Sequence, residues 1–272
     1  MKIKSVLLSI CTALSAISVH ADNTTNTEFD YFAKRQGGGY LAAELAVTYG
    51  GSLYVNNHTK VSLSLNGAYY FDNGLFVELP GKSNEFDSDF ALGYNLFNTP
   101  NWEFDLLWST AHGSLTSITT KKTTRYLGLR ASGEVAGLNV QAIVAPSADT
   151  DTYNNGQYAS LWLSKNWQYK NWNFYGSLGA QYRNANMLNY YYGVPEDSQR
   201  FDPYQASGGT NLTYKVGFRK PFAQSWLFEG NIAYTSYTDA ILDSSITKAV
   251  LEHNYRRKDY AATTSVWVSY VF

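Results

Sequence analysis

The sequence predicts an all-β fold, a transmembrane antiparallel up-and-down β-barrel of about 12 strands set in a bacterial outer membrane. Three observations predict it. Apolar residues recur with period two over stretches of about ten residues, the length a tilted strand needs to cross a bilayer. The alternate positions carry amides, charges and small residues, as a hydrophilic lumen requires. Short and long connections alternate along the whole chain, matching a barrel with tight periplasmic turns and larger outward loops.

The chain opens with Lys2 and Lys4, an apolar run from Val6 to Ile17, and then Val19-His20-Ala21. Positive charge, a short apolar stretch and small residues in that order form a secretory signal, so residues 1–21 are expected to be removed. The run is shorter than the roughly 20 residues of a spanning helix. Cys11 is the only cysteine and lies inside this signal, so no disulfide or cysteine metal site is expected in the mature chain. Ile10 before Cys11 is not the small residue that lipid attachment needs. Residues 22–36 are read as a periplasmic segment, and 22–272 as one barrel domain.

The strands follow in order near 40 to 48, 61 to 71, 74 to 79, 86 to 97, 101 to 112, 124 to 133, 137 to 145, 157 to 166, 172 to 183, 209 to 219, 226 to 237 and 261 to 272. In the second, Val61, Leu63 and Leu65 oppose Ser62, Ser64 and Asn66. In the fourth, Phe86, Phe90, Leu92, Tyr94 and Leu96 oppose Asp87, Asp89, Ala91, Gly93 and Asn95. Trp102, Phe104, Leu106 and Trp108 then face away from Glu103, Asp105 and Ser109, and Leu138, Val140, Ala142 and Val144 from Asn139 and Gln141. Trp172, Phe174, Leu178 and Tyr182 oppose Asn173, Ser177, Gln181 and Arg183. Leu212, Tyr214, Val216 and Phe218 oppose Thr213, Lys215, Gly217 and Arg219, while Trp226, Phe228, Ile232 and Tyr234 oppose Glu229, Asn231 and Thr235. Aromatic residues near strand ends, among them Trp102, Trp108, Trp172, Tyr182 and Trp226, suit the two water-lipid boundaries.

The connections separate this fold from a soluble sandwich, whose strands alternate in the same way. Asp72-Asn73-Gly74, Asn98 to Asn101, Gly133 to Gly137, Trp167 to Asn171 and Lys220 to Ser225 are short. Between them lie longer polar links, Tyr49 to Lys60, Pro80 to Glu85, Gly113 to Thr123, Pro146 to Gly156, Asn184 to Gly208 and Thr238 to Tyr260. Backbone amides in lipid must all be paired, so the sheet is expected to close on itself. The last strand places Ala262, Thr264, Val266, Val268, Tyr270 and Phe272 on one face; its terminal phenylalanine is similar to the signal read by the barrel-assembly machinery.

Composition agrees: 23 Tyr, 14 Phe, 7 Trp and 21 Gly accompany only 16% charged residues, a profile of aromatic, glycine-rich membrane strands. The 21 basic and 22 acidic residues are nearly balanced, so no nucleic-acid surface is implied.

Tyr191-Tyr192-Gly193-Val194, Tyr204, Ala206, Ser207-Gly208-Gly209, Asp239 and Asp243-Ser244-Ser245-Ile246 resemble the MipA/OmpV family of outer-membrane proteins. Gly37-Gly38-Gly39 with Tyr49-Gly50-Gly51-Ser52 resembles that family's first hairpin. The match departs at Ser245, where the family usually has proline, and in lacking a proline before the first Tyr-x-Gly. The resemblance implies a barrel that acts as a scaffold between a murein-cleaving transglycosylase and a murein-synthesising enzyme, and it carries no catalytic residues.

Candidate sites are few. His58, His112 and His253 have no metal-ligand spacing, and no metal or cofactor is expected. His112 and Ser114 share one side of a strand end, similar to outer-membrane lipid A deacylases, but a serine nucleophile needs a base and an orienting acid, and the further motif residues are missing. No catalytic residue is assigned. Asp87, Asp89, Glu103, Asp105, Arg130, Arg183, Lys215, Arg219 and Glu229 project to the interior, where they either line a permeation path or pair and plug it; barrel bore at this strand count favours the plug. Tyr190-Tyr191-Tyr192, Phe201 and Arg256-Arg257-Lys258 either bind a partner or lipopolysaccharide phosphates, or form a cap over the mouth. The function expected is a non-catalytic envelope scaffold, with a narrow channel as the alternative and a lipid-modifying enzyme third.

Overall fold

The computed structural model describes residues 33–54, 56–81, 85–86, 89–110, 125–148, 154–253 and 259–272. The expected signal peptide, most of the 22–36 segment, Asp87, His112, Ser114 and Arg256-Arg257-Lys258 lie outside the described residues.

Twelve antiparallel strands close into a barrel in chain order. They are β1 (Gly38–Gly51), β2 (His58–Tyr70), β3 (Leu75–Leu79), β4 (Ala91–Thr99), β5 (Trp102–Thr110), β6 (Arg125–Val135), β7 (Leu138–Ala148), β8 (Gly156–Tyr169), β9 (Trp172–Arg183), β10 (Gly209–Ala223), β11 (Trp226–Ser236) and β12 (Tyr260–Val271). The sheet closes where β1 pairs with β12, from Ala42 opposite Val271 to Gly51 opposite Ala262, so neither strand is an edge. Among the described residues three helices decorate the outer rim: α1 (Ala185–Tyr192), α2 (Asp239–Leu242) and α3 (Ser245–His253). None of the described helices is long and apolar enough to cross a membrane.

Alternation sets the two faces. On β1, Leu41, Leu45, Val47 and Tyr49 stand outward and exposed, while Ala42, Glu44 and Ala46 are buried inside. Register locks this arrangement, since a slip of one residue would place Glu44 in hydrocarbon. Aromatic pairs ring the periplasmic rim: Phe97 stacks on Phe104 at 4.4 Å between centroids, Trp172 meets Phe218 at 5.3 Å and Trp226 meets Tyr270 at 4.9 Å. Tyr234 and Tyr260, stacked at 5.0 Å, belong to the opposite rim. These are the two girdles the sequence places at the water-lipid boundaries.

The periplasmic turns are tight for a local reason. Ala136 and Gly137 take φ of 52° and 73°, both in the left-handed region, which gives a two-residue hairpin whose twist matches its strands. Pro221 lies beside a register shift at the rim of β10, where a missing amide costs little.

One expected strand is corrected. The fourth was read from residue 86, but β4 begins at Ala91, and β3 ends at Leu79 after 5 residues. Of the residues described between them, Gly81 lies against the lumenal Asn66 side chain and Glu85 is bonded to Ser164 across the lumen. The period-two pattern of Phe86 to Phe90 continues that of β4 in sequence, but Glu85 is drawn to charges on the far wall instead.

Candidate functional site

The lumen is the candidate site, and three layers of side chains occupy it. At the periplasmic mouth, residues 33–37 ahead of β1 lie across β4 and β5. Lys34 donates from Nζ to the carbonyls of Asn95 and Leu96, each at 2.8 Å, and Asn98 Nδ2 donates to the Ala33 carbonyl at 2.8 Å. Arg35 donates to Glu103, lies 3.7 Å from Asp105 and stacks 4.3 Å over the Tyr70 ring. Burial opposes the Arg35 charge, but the hydrogen bond to Glu103 and the nearby Asp105 outweigh it, so this guanidinium holds its proton more firmly than usual.

The middle layer has two charge clusters on facing walls. On the β3–β6 side, Arg130 donates to both oxygens of Glu78, at 2.7 and 2.9 Å, and to Asp105 Oδ2 at 2.9 and 3.1 Å. Asn95 Nδ2 donates to the other Asp105 oxygen at 3.0 Å. On the β8–β11 side, Arg219 lies 2.9 Å from Glu85 and 3.5 Å from Glu229. Glu85 also accepts from Ser164 at 2.7 Å and Asn166 at 2.9 Å, so a residue four positions past Gly81 reaches the wall opposite β3. Lys215 donates to the Phe86 carbonyl at 2.9 Å and holds the same crossing segment. Glu229 accepts from Trp267 and Ser269, and Glu44 from Ser64 and Asn66. Charges taken out of water persist only where partners replace hydration, which is what these contacts do.

The outer layer is a cap. Asn184 caps α1 by accepting from the Met187 amide at 3.1 Å, and the Asn189 side chain pairs with both the amide and the carbonyl of Ala206. Val194 and Tyr204 pair as an isolated bridge, Tyr204 donates to the Ala240 carbonyl at 3.0 Å, and Ser244 donates to the Tyr192 carbonyl at 2.8 Å. Tyr54, from the β1–β2 loop, shares a hydrogen bond with Thr247 and stacks on Tyr192. Met187, Leu188, Tyr191, Tyr192 and Ile241 are buried beneath this cover. Burial raises the pKa of Tyr54 and Tyr192, so both phenols stay neutral.

These contacts sort the expected residues. Glu103, Asp105, Arg130, Lys215, Arg219 and Glu229 do meet in the interior, as alternation predicts; Arg183 is buried near the Tyr158 ring, and Asp89, though exposed, lines the lumen with Ser109, Tyr126 and Arg130. The cap, and not an open aromatic surface, is the outcome for Tyr191 and Tyr192. His58 Nδ1 bonds only locally, 2.9 Å from the Asn56 carbonyl, and His253 ends α3. Among the described residues no three potential ligands gather around a metal position. Sequence reasoning missed Glu44, Glu78, Glu85, Lys34 and Arg35. Glu44 was open to it, lying between Ala42 and Ala46 on the inner face of β1, whereas Glu85 and Arg35 leave no periodic signal because they sit outside strands.

A cavity of about 720 Å3 lies between the mouth and the middle layer, lined by Arg35, Tyr40, Glu78, Arg130, Arg219 and Glu229 among others.

Of the residues that carry the family resemblance, those of the last third fall mostly in the cap, where Tyr191, Tyr192, Val194, Tyr204, Ala206 and Ser244 contact one another or the mouth, while Gly37-Gly38-Gly39 and Tyr49-Gly50-Gly51 lie at the two ends of β1. No curated protein matches the chain significantly. Solved structures resembling it include the outer-membrane channel DcaP of Acinetobacter baumannii, with 10% identity over 90% of this chain and 99% of that one and a TM-score of 0.43. A bacterial polysaccharide outer-membrane secretin has 8% identity over 85% and 98%, with a TM-score of 0.41. A loop-deletion mutant of OmpT, an outer-membrane protein of Vibrio cholerae, has 7% identity over 87% and 99%, with a TM-score of 0.38. The family model described as MltA-interacting protein MipA matches residues 37–272, from the glycines that open β1 to Phe272, and the chain belongs to that family.

Proposed function

We propose that this outer-membrane barrel is a closed, non-catalytic scaffold that offers its periplasmic rim, with the 22–36 segment, to murein-remodelling enzymes. The observation that supports this reading best is the filled lumen. Three separate chain segments, 33–37, 85–86 and the helical cap, spend their polar groups on closing the barrel at both mouths and across its middle. A pore would be expected to leave a continuous water column lined by such groups. The family description, a protein that interacts with MltA, supports the choice of partner. Phe272, exposed on the lipid face beside Tyr270, supports recognition by the barrel-assembly machinery, and Arg256-Arg257-Lys258 would meet lipopolysaccharide phosphates.

Photo-crosslinkers at Asp72, Asn101 and Lys170, all in periplasmic turns, test the reading in intact envelopes. A murein hydrolase or synthase captured from these positions, and not from the cap, is the expected result. The second reading, a narrow channel, draws on the 720 Å3 cavity. Steady single-channel conductance of protein reconstituted in planar bilayers would replace the scaffold reading with it.

A further inference from the structure

Among the described strands the lipid face of the barrel carries charge of one sign. Every aspartate and glutamate of these strands falls on the inward parity, as Glu44, Glu78, Asp105 and Glu229 do. The charged side chains of outward parity there are Arg125, Lys165 and Lys220. Arg125 belongs to the outer rim, over the Trp108 ring at 4.3 Å. The two lysines stand toward the periplasmic ends of β8 and β10, on either side of β9.

Register sets them above and below an aromatic tier. Lys165 is exposed and lies opposite Gly176, where an added Cβ would meet only the edge of the Trp167 ring, at 3.8 Å. Nearer the periplasm Trp167 stacks on Phe174, and Phe174 on Trp172, at 6.2 and 6.0 Å between centroids. Lys220 follows Arg219, the partner of Asn173, so it comes level with Trp172, and its ammonium lies 4.6 Å over that ring. From Gly176 to Trp172 the strand runs about 13 Å, at roughly 3.3 Å per residue. Flexible stems let both ammonium groups approach the tier between them, at the depth of the water-lipid boundary.

We propose that this arc of β8, β9 and β10 binds an anionic glycerophospholipid of the periplasmic leaflet, its phosphodiester held between Lys165 and Lys220 and an acyl chain lying over Gly176. The phosphate gains a charge-assisted contact from each ammonium. A zwitterionic lipid brings an ammonium of its own, which the lysines repel and which no outward carboxylate of the described strands accepts. Net negative charge is therefore what the arc selects. Phe97, Phe104, Trp226 and Tyr270 offer the same aromatic boundary without an outward strand cation beside them, so aromatic anchoring alone does not distinguish this arc. The site lies outside the lumen and goes beyond the scaffold reading without resting on it.

The full chain, folded into phosphatidylcholine vesicles, tests the site. A trace of phosphatidylglycerol or of phosphatidylethanolamine, each with a diazirine on an acyl carbon near the glycerol, is photolysed and the adducts are mapped. Phosphatidylglycerol adducts on Leu163, Trp167 and Val216 should exceed those of phosphatidylethanolamine by roughly fivefold for each lysine engaged, the factor that about 1 kcal/mol per basic side chain gives. On the far arc, outward Leu41 and Leu65 should label equally with both probes. Lys165→Gln with Lys220→Gln should bring the probes to parity on β8 to β10. Equal labelling of that arc in the unaltered chain, an anionic excess spread evenly round the barrel, or an excess that survives the double substitution would overturn the proposal. Zero-length coupling of either lysine to a carboxylate of a second copy, in place of lipid adducts, would overturn it as well. If the variant does not fold, the comparison of the two arcs in the unaltered chain decides the matter.

Discussion

Arg130 is the residue whose removal the barrel should tolerate least. Its guanidinium makes four hydrogen bonds within 3.1 Å, two to Glu78 and two to Asp105. Asp105 is fully buried, so water cannot replace the lost partner. Arg130→Met keeps the apolar stem but strands a buried carboxylate, a change that costs about 3–5 kcal/mol. Asn95 and Arg35 remain near Asp105 and place the expected loss toward the lower end. Arg130→Met with Asp105→Asn removes the stranded charge as well, so the double variant should recover roughly 1–3 kcal/mol of the summed single losses. Equilibrium urea unfolding of vesicle-folded protein, followed by tryptophan fluorescence, measures both, with the slope unchanged if the barrel itself is intact. A loss under about 1 kcal/mol for Arg130→Met, the range of a solvent-exposed pair, would refute the argument that this network is shielded from water. Full additivity in the double variant would refute it equally.

Three further changes probe other layers. Glu85→Gln keeps acceptors for Ser164 and Asn166 but removes the charge opposite Arg219, so a loss of about 1–2 kcal/mol is expected by the same unfolding assay; no loss would mean that the crossing segment does not brace the barrel. Gly179 faces Trp162 across the β8–β9 ladder, and a Cβ there would lie 2.6 Å from the indole. Gly179→Val should therefore cost about 1–3 kcal/mol, while Gly176→Ala, whose nearest neighbours are at 3.8 Å, should cost far less; similar effects at both would contradict the packing argument. Burial, the largest cause, raises the pKa of the cap tyrosines Tyr54, Tyr192 and Tyr237. Protonated phenol is thus favoured in the folded cap. Its contribution is complete below the unfolded tyrosine value of about 10 and is lost as pH climbs through the higher folded value. Phenolate absorbance should show delayed titration, with proteolysis of the cap beginning only above about pH 10; ordinary titration of all tyrosines would show that the cap is open.

Period together with the alternation of short and long links sufficed for the barrel, because a strand in lipid must put alternate residues on opposite faces and every such strand announces itself locally. Leu41, Glu44 and Leu45 already declare which side of β1 meets hydrocarbon, and the alternation of short and long links orders the strands around the ring. Closure was needed for everything that depends on distance across the lumen. Glu85 reads in sequence as the end of a polar loop, yet it is bonded to β8 and β10 on the wall facing β3. The tyrosines at 190–192 read either as a binding surface or as a cap, and contacts from loops far apart in the chain decide it, with two of them packed under the cap. Periodicity records only the side on which a residue stands. Partners within the barrel are set by shear, loop length and the penalty for an unmatched buried charge, and these act together only once the first and last strands have joined.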